Sequence, residues 1–194
     1  MNDGSVTALK PVPGVELVET ALSTSDLHDL CDATDAAIEA GGGFGWVNVP
    51  SRDIIERFWQ GVVAMPTRRL FVARLDGTIC GAAQLVFPPK NNEAQSFAAQ
   101  MTGFFIAPWA RGQGLSRMLL DYVEKHTRRE GYAVLNLDVR ESQSAAIALY
   151  ESAGYVMVGV HPYYAKVNDE VIKGRYYYKV LSPQLTVVNN NKKA

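Results

Sequence analysis

The stretch Arg111-Gly112-Gln113-Gly114 holds residue types and spacing that could do chemistry. It lies between a β-type run, Phe104-Phe105-Ile106, and the start of an amphipathic helix. In that helix Leu115, Met118, Leu119, Tyr122, Val123 and His126 recur at helical spacing. A helix N-terminus leaves its first four N–H groups unpaired and carries about half a positive charge. Gly112 and Gly114 let a ligand approach the backbone, and Arg111 and Gln113 add side-chain donors, so the turn reads as an anion pocket. The glycines by themselves also fit a plain strand-to-helix corner. Two common phosphate loops are excluded. No Gly-x4-Gly-Lys-Ser/Thr string occurs, and position 117, where a dinucleotide fingerprint needs its third glycine, is Arg117.

A second reactive group sits in Leu149-Tyr150-Glu151-Ser152-Ala153-Gly154-Tyr155. The Tyr150 phenol could donate a proton at neutral pH. Its spacing with Ala146, Leu149 and Ala153 equally describes an apolar helix face packed in a core. Asp138 and Glu141, at or just beyond the end of the run Val134 to Val139, could meet an amine or face solvent. Gly41 to Trp46 has four glycines in six residues around Phe44 and Trp46, so it is not helix interior. It reads either as a flexible loop or as a lid over a substrate. His28 and His161 stand alone and receive no role.

Local patterns give the elements that must position these groups. Val15 to Thr20 alternates as a first strand, and Ser23 to Ser25 supplies N-caps for a helix burying Leu27, Leu30, Cys31, Thr34, Ala37 and Ile38. Pro50-Ser51 opens a second helix, with Ile54, Ile55, Phe58, Trp59, Val62 and Val63 inward, ended by Met65-Pro66. Asp76-Gly77 joins Leu70–Leu75 to Thr78–Phe87 as a hairpin. Ser96 to Ala107 is the next strand, and the central helix ends near Gly131. Beyond the run Val134 to Val139, a helix spans Ser144 to Ala153. Tyr155 to Val160 and Arg175 to Leu181 close the sheet, parted by a polar stretch around Asn168-Asp169-Glu170. The order β-α-α-β-β-β-α-β-α-β-β breaks strict βα alternation, which disfavours a doubly wound dinucleotide fold.

Composition bounds the partners. With 194 residues, 47% of them hydrophobic, the chain can bury the core of one domain. A net charge of −1 gives no basic field for nucleic acid, and no run approaches a membrane span. Cys31 and Cys80 lack metal-type spacing, which fits a reducing cytoplasm and no metal.

Arg-Gly-Gln-Gly-Leu-Ser resembles the Arg/Gln-x-x-Gly-x-Gly/Ala signature of the GCN5-related N-acetyltransferase (GNAT) superfamily, with Ser116 in place of the final Gly or Ala. Leu149 to Tyr155 resembles that family's Leu-Tyr-Glu-x-x-Gly-Phe block at the usual distance. The last third, with Gly154-Tyr155, Pro162-x-Tyr164 and Tyr178-Lys179, faintly resembles the tabtoxin-resistance acetyltransferases. The resemblance covers roughly Val15 to Leu181. It implies a mixed, mostly antiparallel α/β (α+β) sheet of about seven strands flanked by about four helices, in one N-acetyltransferase domain over 14–182. Residues 1–13 and 183–194 would then be tails, the second disordered.

It further implies a cytoplasmic enzyme moving an acetyl group from acetyl-CoA to a primary amine of a small molecule by direct attack in a ternary complex, without metal, and compatible with a homodimer. The alternative is a non-catalytic acyl-CoA-binding module that regulates a partner. By resemblance, backbone groups of Phe104 and Ile106 hold the pantetheine arm and the carbonyl, in a V-shaped opening between the fourth and fifth strands. Arg111, Gly112, Gln113, Gly114, Leu115 and Ser116 bind the pyrophosphate, Gln143 stands where the family often has an Asn that contacts the cofactor, and Tyr150 protonates the thiolate. Gln100-Met101-Thr102-Gly103 lacks the Glu that the family often uses as base, so the amine's proton would pass through water to Asp138 or Glu141. Phe44, Trp46 and Tyr164 are the expected substrate residues.

Overall fold

The computed structural model describes residues 10–42 and 45–186. The tails expected at 1–13 and 183–194 therefore fall mostly outside the described residues, and Phe44 falls outside them entirely. Seven strands and four α-helices follow one another: β1 (Pro13–Val18), α1 (Thr24–Glu39), α2 (Arg52–Ala64), β2 (Arg68–Leu75), β3 (Thr78–Val86), β4 (Ala98–Ile106), α3 (Leu115–Arg129), β5 (Val134–Arg140), α4 (Ser144–Ser152), β6 (Val156–Val167) and β7 (Glu170–Val180). One sheet runs in the order β1-β2-β3-β4-β5-β7-β6, and only the β4–β5 pair is parallel. This is the mixed, mostly antiparallel sheet that the sequence implies.

Each helix forms for a local reason. Ser23 caps α1 by accepting the Asp26 N–H at 3.1 Å, and every residue expected on its inner face is buried. Thr34 sits on that face because its hydroxyl donates to the Leu30 carbonyl (2.6 Å) and accepts from Trp59 Nε1 (3.0 Å), which leaves neither polar group unpaired in the core. In α2, Ile55, Trp59 and Val62 are buried as expected, whereas Ile54 is 43% exposed. One core joins α1 and α2 to Leu70, Val72, Ile79, Ala82 and Phe105. On the other face α3 buries Leu115, Leu119, Leu120 and Val123 against Phe71, Leu85, Met101, Leu135 and Leu137. Each such side chain contributes about 1.5–3 kcal/mol by leaving water.

Two hairpins are made by residues with positive φ. Asp76 and Gly77 (φ 50° and 87°) join β2 to β3 as expected. Asn168 and Asp169 (φ 48° and 66°) join β6 to β7. The polar stretch there is thus a tight two-residue turn, and the strands run up to it on both sides, well beyond the boundaries that the sequence suggests. In addition, α3 buries Glu124, at 4% exposure, because Lys179 reaches it from β7 (2.7 Å) and Arg128 from its own helix (3.4 Å). No helix among the described residues is long and apolar enough to cross a membrane.

Candidate active site

The site begins where β4 and β5 part. They pair only through Ala98↔Val134, Ala99↔Leu135 and Gln100↔Asn136. Just beyond, two residues of β4, Gly103 and Phe104, oppose the single Ala83 of β3, and Gly103 has φ +58°. This bulge bends β4 and opens the V. A Cβ on Gly103 would also come within 2.8 Å of the Gln84 amide, so both conformation and space call for glycine. The Ala107 N–H donates to Cys80 O at 2.7 Å, so by strand alternation Phe105 also addresses β3. Phe104 and Ile106 therefore turn their backbone groups to the opening, and the Ile106 carbonyl there accepts Arg111 Nε at 3.3 Å.

A cavity of about 460 Å³ fills the V. Alternation along β5 divides its lining. Leu137 and Val139 face the α3/α4 core, together with Phe104 and Tyr150. Asp138 and Arg140 line the opposite side with Thr102, Tyr164 and the loop residues Gly45 and Val47. Gln143, at the N-cap position of α4, and Ala146 and Tyr150 on the helix reach the cavity at i, i+3 and i+7, one helical face.

Tyr150 is 4% exposed, its ring 5.9 Å from Phe104 and 5.7 Å from Tyr155. Its hydroxyl makes no hydrogen bond among the described residues. Burial, and secondarily the charge of Asp138, raise its pKa well above that of a free phenol, which keeps it protonated. Asp138 is held at both oxygens. Gln100 Nε2 donates to Oδ1 at 2.9 Å and the Tyr164 hydroxyl donates to Oδ2. Tyr164 belongs to β6 and must cross β7 to reach β5. It does so over Gly174, where a Cβ would lie 2.1 Å from the Tyr164 ring. Burial first, then the bond to Asp138, raises the Tyr164 pKa.

Two of the other expected residues, Glu141 and Trp46, lie outside the lining of this cavity. Glu141 pairs with Arg175 at 3.0 Å and does not line the cavity. Trp46 packs edge-on against Phe58 of α2 (5.0 Å between centroids) and lines neither cavity described here. Gln143 donates to the Gly41 carbonyl at 2.7 Å, tying the α1–α2 loop to the start of α4.

The turn before α3 borders a second cavity of about 520 Å³, lined by Arg111, Gly112, Gly114, Leu115 and Ser116 on one side and by Ala145, Ala148, Leu149 and Ser152 on the other. Gln113 is exposed and outside this lining, whereas Arg117, just past the Arg111–Ser116 motif, lies within it. Gly112 and Gly114 have φ of 79° and 76°, and a Cβ on either would project into open space. The N–H groups of residues 112 to 116 have no backbone acceptor among the described residues. A cradle of unpaired N–H groups that side chains would fill suits a phosphorylated ligand. Small residues on α4 leave room for it. Among the described residues, no group of three or more His, Cys, Asp or Glu gathers that could hold a metal.

This architecture matches known proteins. The model of the acetyltransferase (GNAT) family matches residues 36–155. An uncharacterized N-acetyltransferase of the hisH-hisA intergenic region of Azospirillum brasilense is 60% identical over 129 residues, 66% of this chain and 76% of that one. An N-acetyltransferase structure from Staphylococcus aureus Mu50 superposes with a TM-score of 0.74 at 18% identity, over 88% of this chain and 99% of that one. The structure of yncA from Salmonella typhimurium with its cofactor acetyl-CoA gives 0.70 at 15% identity, over 90% and 96%. The chain belongs to the GNAT acetyltransferase family and is an acyltransferase of that family.

Proposed function

We propose that the protein transfers an acetyl group from acetyl-CoA to the primary amine of a small molecule, by direct attack within a ternary complex. The observation that carries this reading is a pair of cavities that both border α4. One presents the unpaired N–H groups before α3, and the other sets Tyr150 and Asp138 on opposite sides of the splayed strands. The turn Arg111-Gly112-Gln113-Gly114-Leu115-Ser116 holds the pyrophosphate, and the backbone edge of Phe104 and Ile106 holds the pantetheine arm. Gln143 fixes the loop that closes the cavity. Bound there, the thioester supplies an acyl carbon whose bond to sulfur breaks as a C–N bond forms.

The chain's own groups move the protons. Asp138 accepts the proton that the amine loses, directly or through a water, since two hydrogen bonds leave its carboxylate further acceptor sites. Tyr150 donates its phenolic proton to the departing sulfur and recovers one from solvent. Glu141, engaged by Arg175, takes no part in this scheme.

Tyr150→Phe keeps the ring and its packing, so CoA affinity should stay within a small factor while turnover falls by roughly 10²–10⁴-fold, the usual worth of a positioned acid. Steady-state kinetics with an accepted amine is the test. Wild-type turnover in this variant, with chemistry rate-limiting, would remove Tyr150 from the mechanism.

A further inference from the structure

Arg140 ends β5 on the same side as Asp138 and lines the same cavity, across from Tyr150. Six arginines are half-buried: Arg52, Arg68, Arg69, Arg74, Arg140 and Arg175. In five of them the guanidinium has a partner. Arg52, Arg74 and Arg175 hold carboxylates, Arg68 holds the Gln84 amide oxygen, and Arg69 holds backbone carbonyls. Arg140 alone among them makes no ion pair or hydrogen bond through its guanidinium among the described residues. A half-desolvated cation without a partner costs stability, and five others show that this chain pairs such groups when it can. Its charge also acts on Tyr164, whose hydroxyl holds Asp138, so guanidinium and carboxylate belong to one constellation. The other cation in the cavity lining, Lys166, is engaged by Asp169 at 2.8 Å.

We propose that Arg140 is an anion subsite for the acceptor, which is a primary amine carrying a carboxylate or comparable anion a short spacer away. This rests on the acetyltransferase reading above and names its substrate class: amino-acid-like molecules instead of plain amines or polyamines. Asp138 and Arg140 are two residues apart on one strand face, about 6.7 Å between Cα atoms. An amine docked at Asp138 thus leaves its anion within reach of a guanidinium that can take both oxygens in a bidentate pair. The opposite side of the cavity, apolar at Leu137, Val139 and Phe104, remains for the acyl arm.

The test uses the full chain with acetyl-CoA and α-, β- and γ-amino acids, each matched with the amine that lacks the carboxylate. Initial rates are followed by thiol release, and binding to the enzyme–CoA complex by calorimetry. The acids should exceed their matched amines by roughly 10–100-fold in kcat/KM, carried mainly by KM, the scale of a charge-assisted hydrogen bond. Arg140→Gln should collapse that ratio toward one, Arg140→Lys should keep part of it, and Arg140→Glu should turn it in favour of diamines. Acetylation of neutral amines with no preference for acids would overturn the proposal, as would a preference surviving in Arg140→Gln or a failure of every acid to bind or react. Acetyl-CoA binding, measured separately, tells the two readings apart. Its loss would refute the transferase scheme, whereas intact binding with unselective acetylation would refute the anion subsite alone.

Discussion

Gly174→Ala should cripple the site from a position that does not itself line it. Gly174 is a buried β7 position with no positive φ, so alanine is conformationally acceptable there. The added Cβ would stand 2.1 Å from Tyr164 Cγ and 2.3 and 2.6 Å from the two Cδ atoms. Bringing the first of these to an ordinary 3.4 Å contact moves the ring by about 1.3 Å. An O–H···O bond tolerates only a few tenths of an ångström, so the Tyr164 hydroxyl leaves Asp138. Overpacking should cost about 1–3 kcal/mol of stability. Loss of a hydrogen bond to a carboxylate, about 1.5–3 kcal/mol, should lower kcat/KM by roughly 10–100-fold if that carboxylate must be oriented. Tyr164→Phe provides the control, since it removes the hydroxyl and keeps the ring. Steady-state kinetics of both single variants and the double variant form a cycle, in which Gly174→Ala should cost little more once the hydroxyl is gone. Wild-type kcat/KM in Gly174→Ala, or an undiminished loss in the Phe background, would refute this role of the glycine.

Gly114→Val should reduce CoA affinity by roughly 10–100-fold, because its side chain enters the cradle and displaces charge-assisted bonds. Gly131→Val, at a glycine of similar φ (87°) at the far end of α3, is the strain-matched control, and equal calorimetric affinities in the two folded variants would contradict the phosphate cradle. Burial lowers the pKa of His126 against the opposing charge of Glu130, so the folded chain favours neutral imidazole. The unfolded chain then binds more protons between the lowered value and the ordinary one near 6.5, and stability must fall as pH drops through that window. Melting curves from pH 7.5 to 5.5 should show this slope weakened in His126→Gln, and an identical slope would refute it.

What could be read from the sequence was what is written locally. The Ser23 cap, the inner face of α1, the Asp76-Gly77 turn and the glycines before α3 depend on residues within a few positions of each other. What could not be read depends on strand neighbours distant in sequence. Glu124 interrupts no helical period visibly, yet it is buried because Lys179 lies 55 positions away on β7. Trp46 has the composition of a lid residue, but Phe58 supplies it with a partner outside the cavity. Gly174 carries no turn signal, and its smallness has meaning only once β6 lies beside β7 and Tyr164 leans across it. The length of those two strands was hidden because Asn168 and Asp169 read as a polar loop until their left-handed conformation is seen.

Strand β5 shows how one short segment can give a cavity two unlike faces. Its side chains alternate, so Leu137 and Val139 must join the core below α3 and α4 while Asp138 and Arg140 face the other way. In a closed sheet these two faces would be sealed from each other by the neighbouring strand. The bulge at Gly103 removes that seal by bending β4 away after Gln100, so the apolar and charged faces open into one cavity. In the proposed scheme, an acyl group entering from the α4 side and an amine entering from the Asp138 side would meet between the strands, each in the environment that suits it. Register is the condition for this. A slip of one residue between β5 and β7 would send Asp138 into the core and Leu137 into the acceptor side. The long β6–β7 hairpin, with Tyr177 opposite Leu137 and buried beneath the sheet, holds that register fixed.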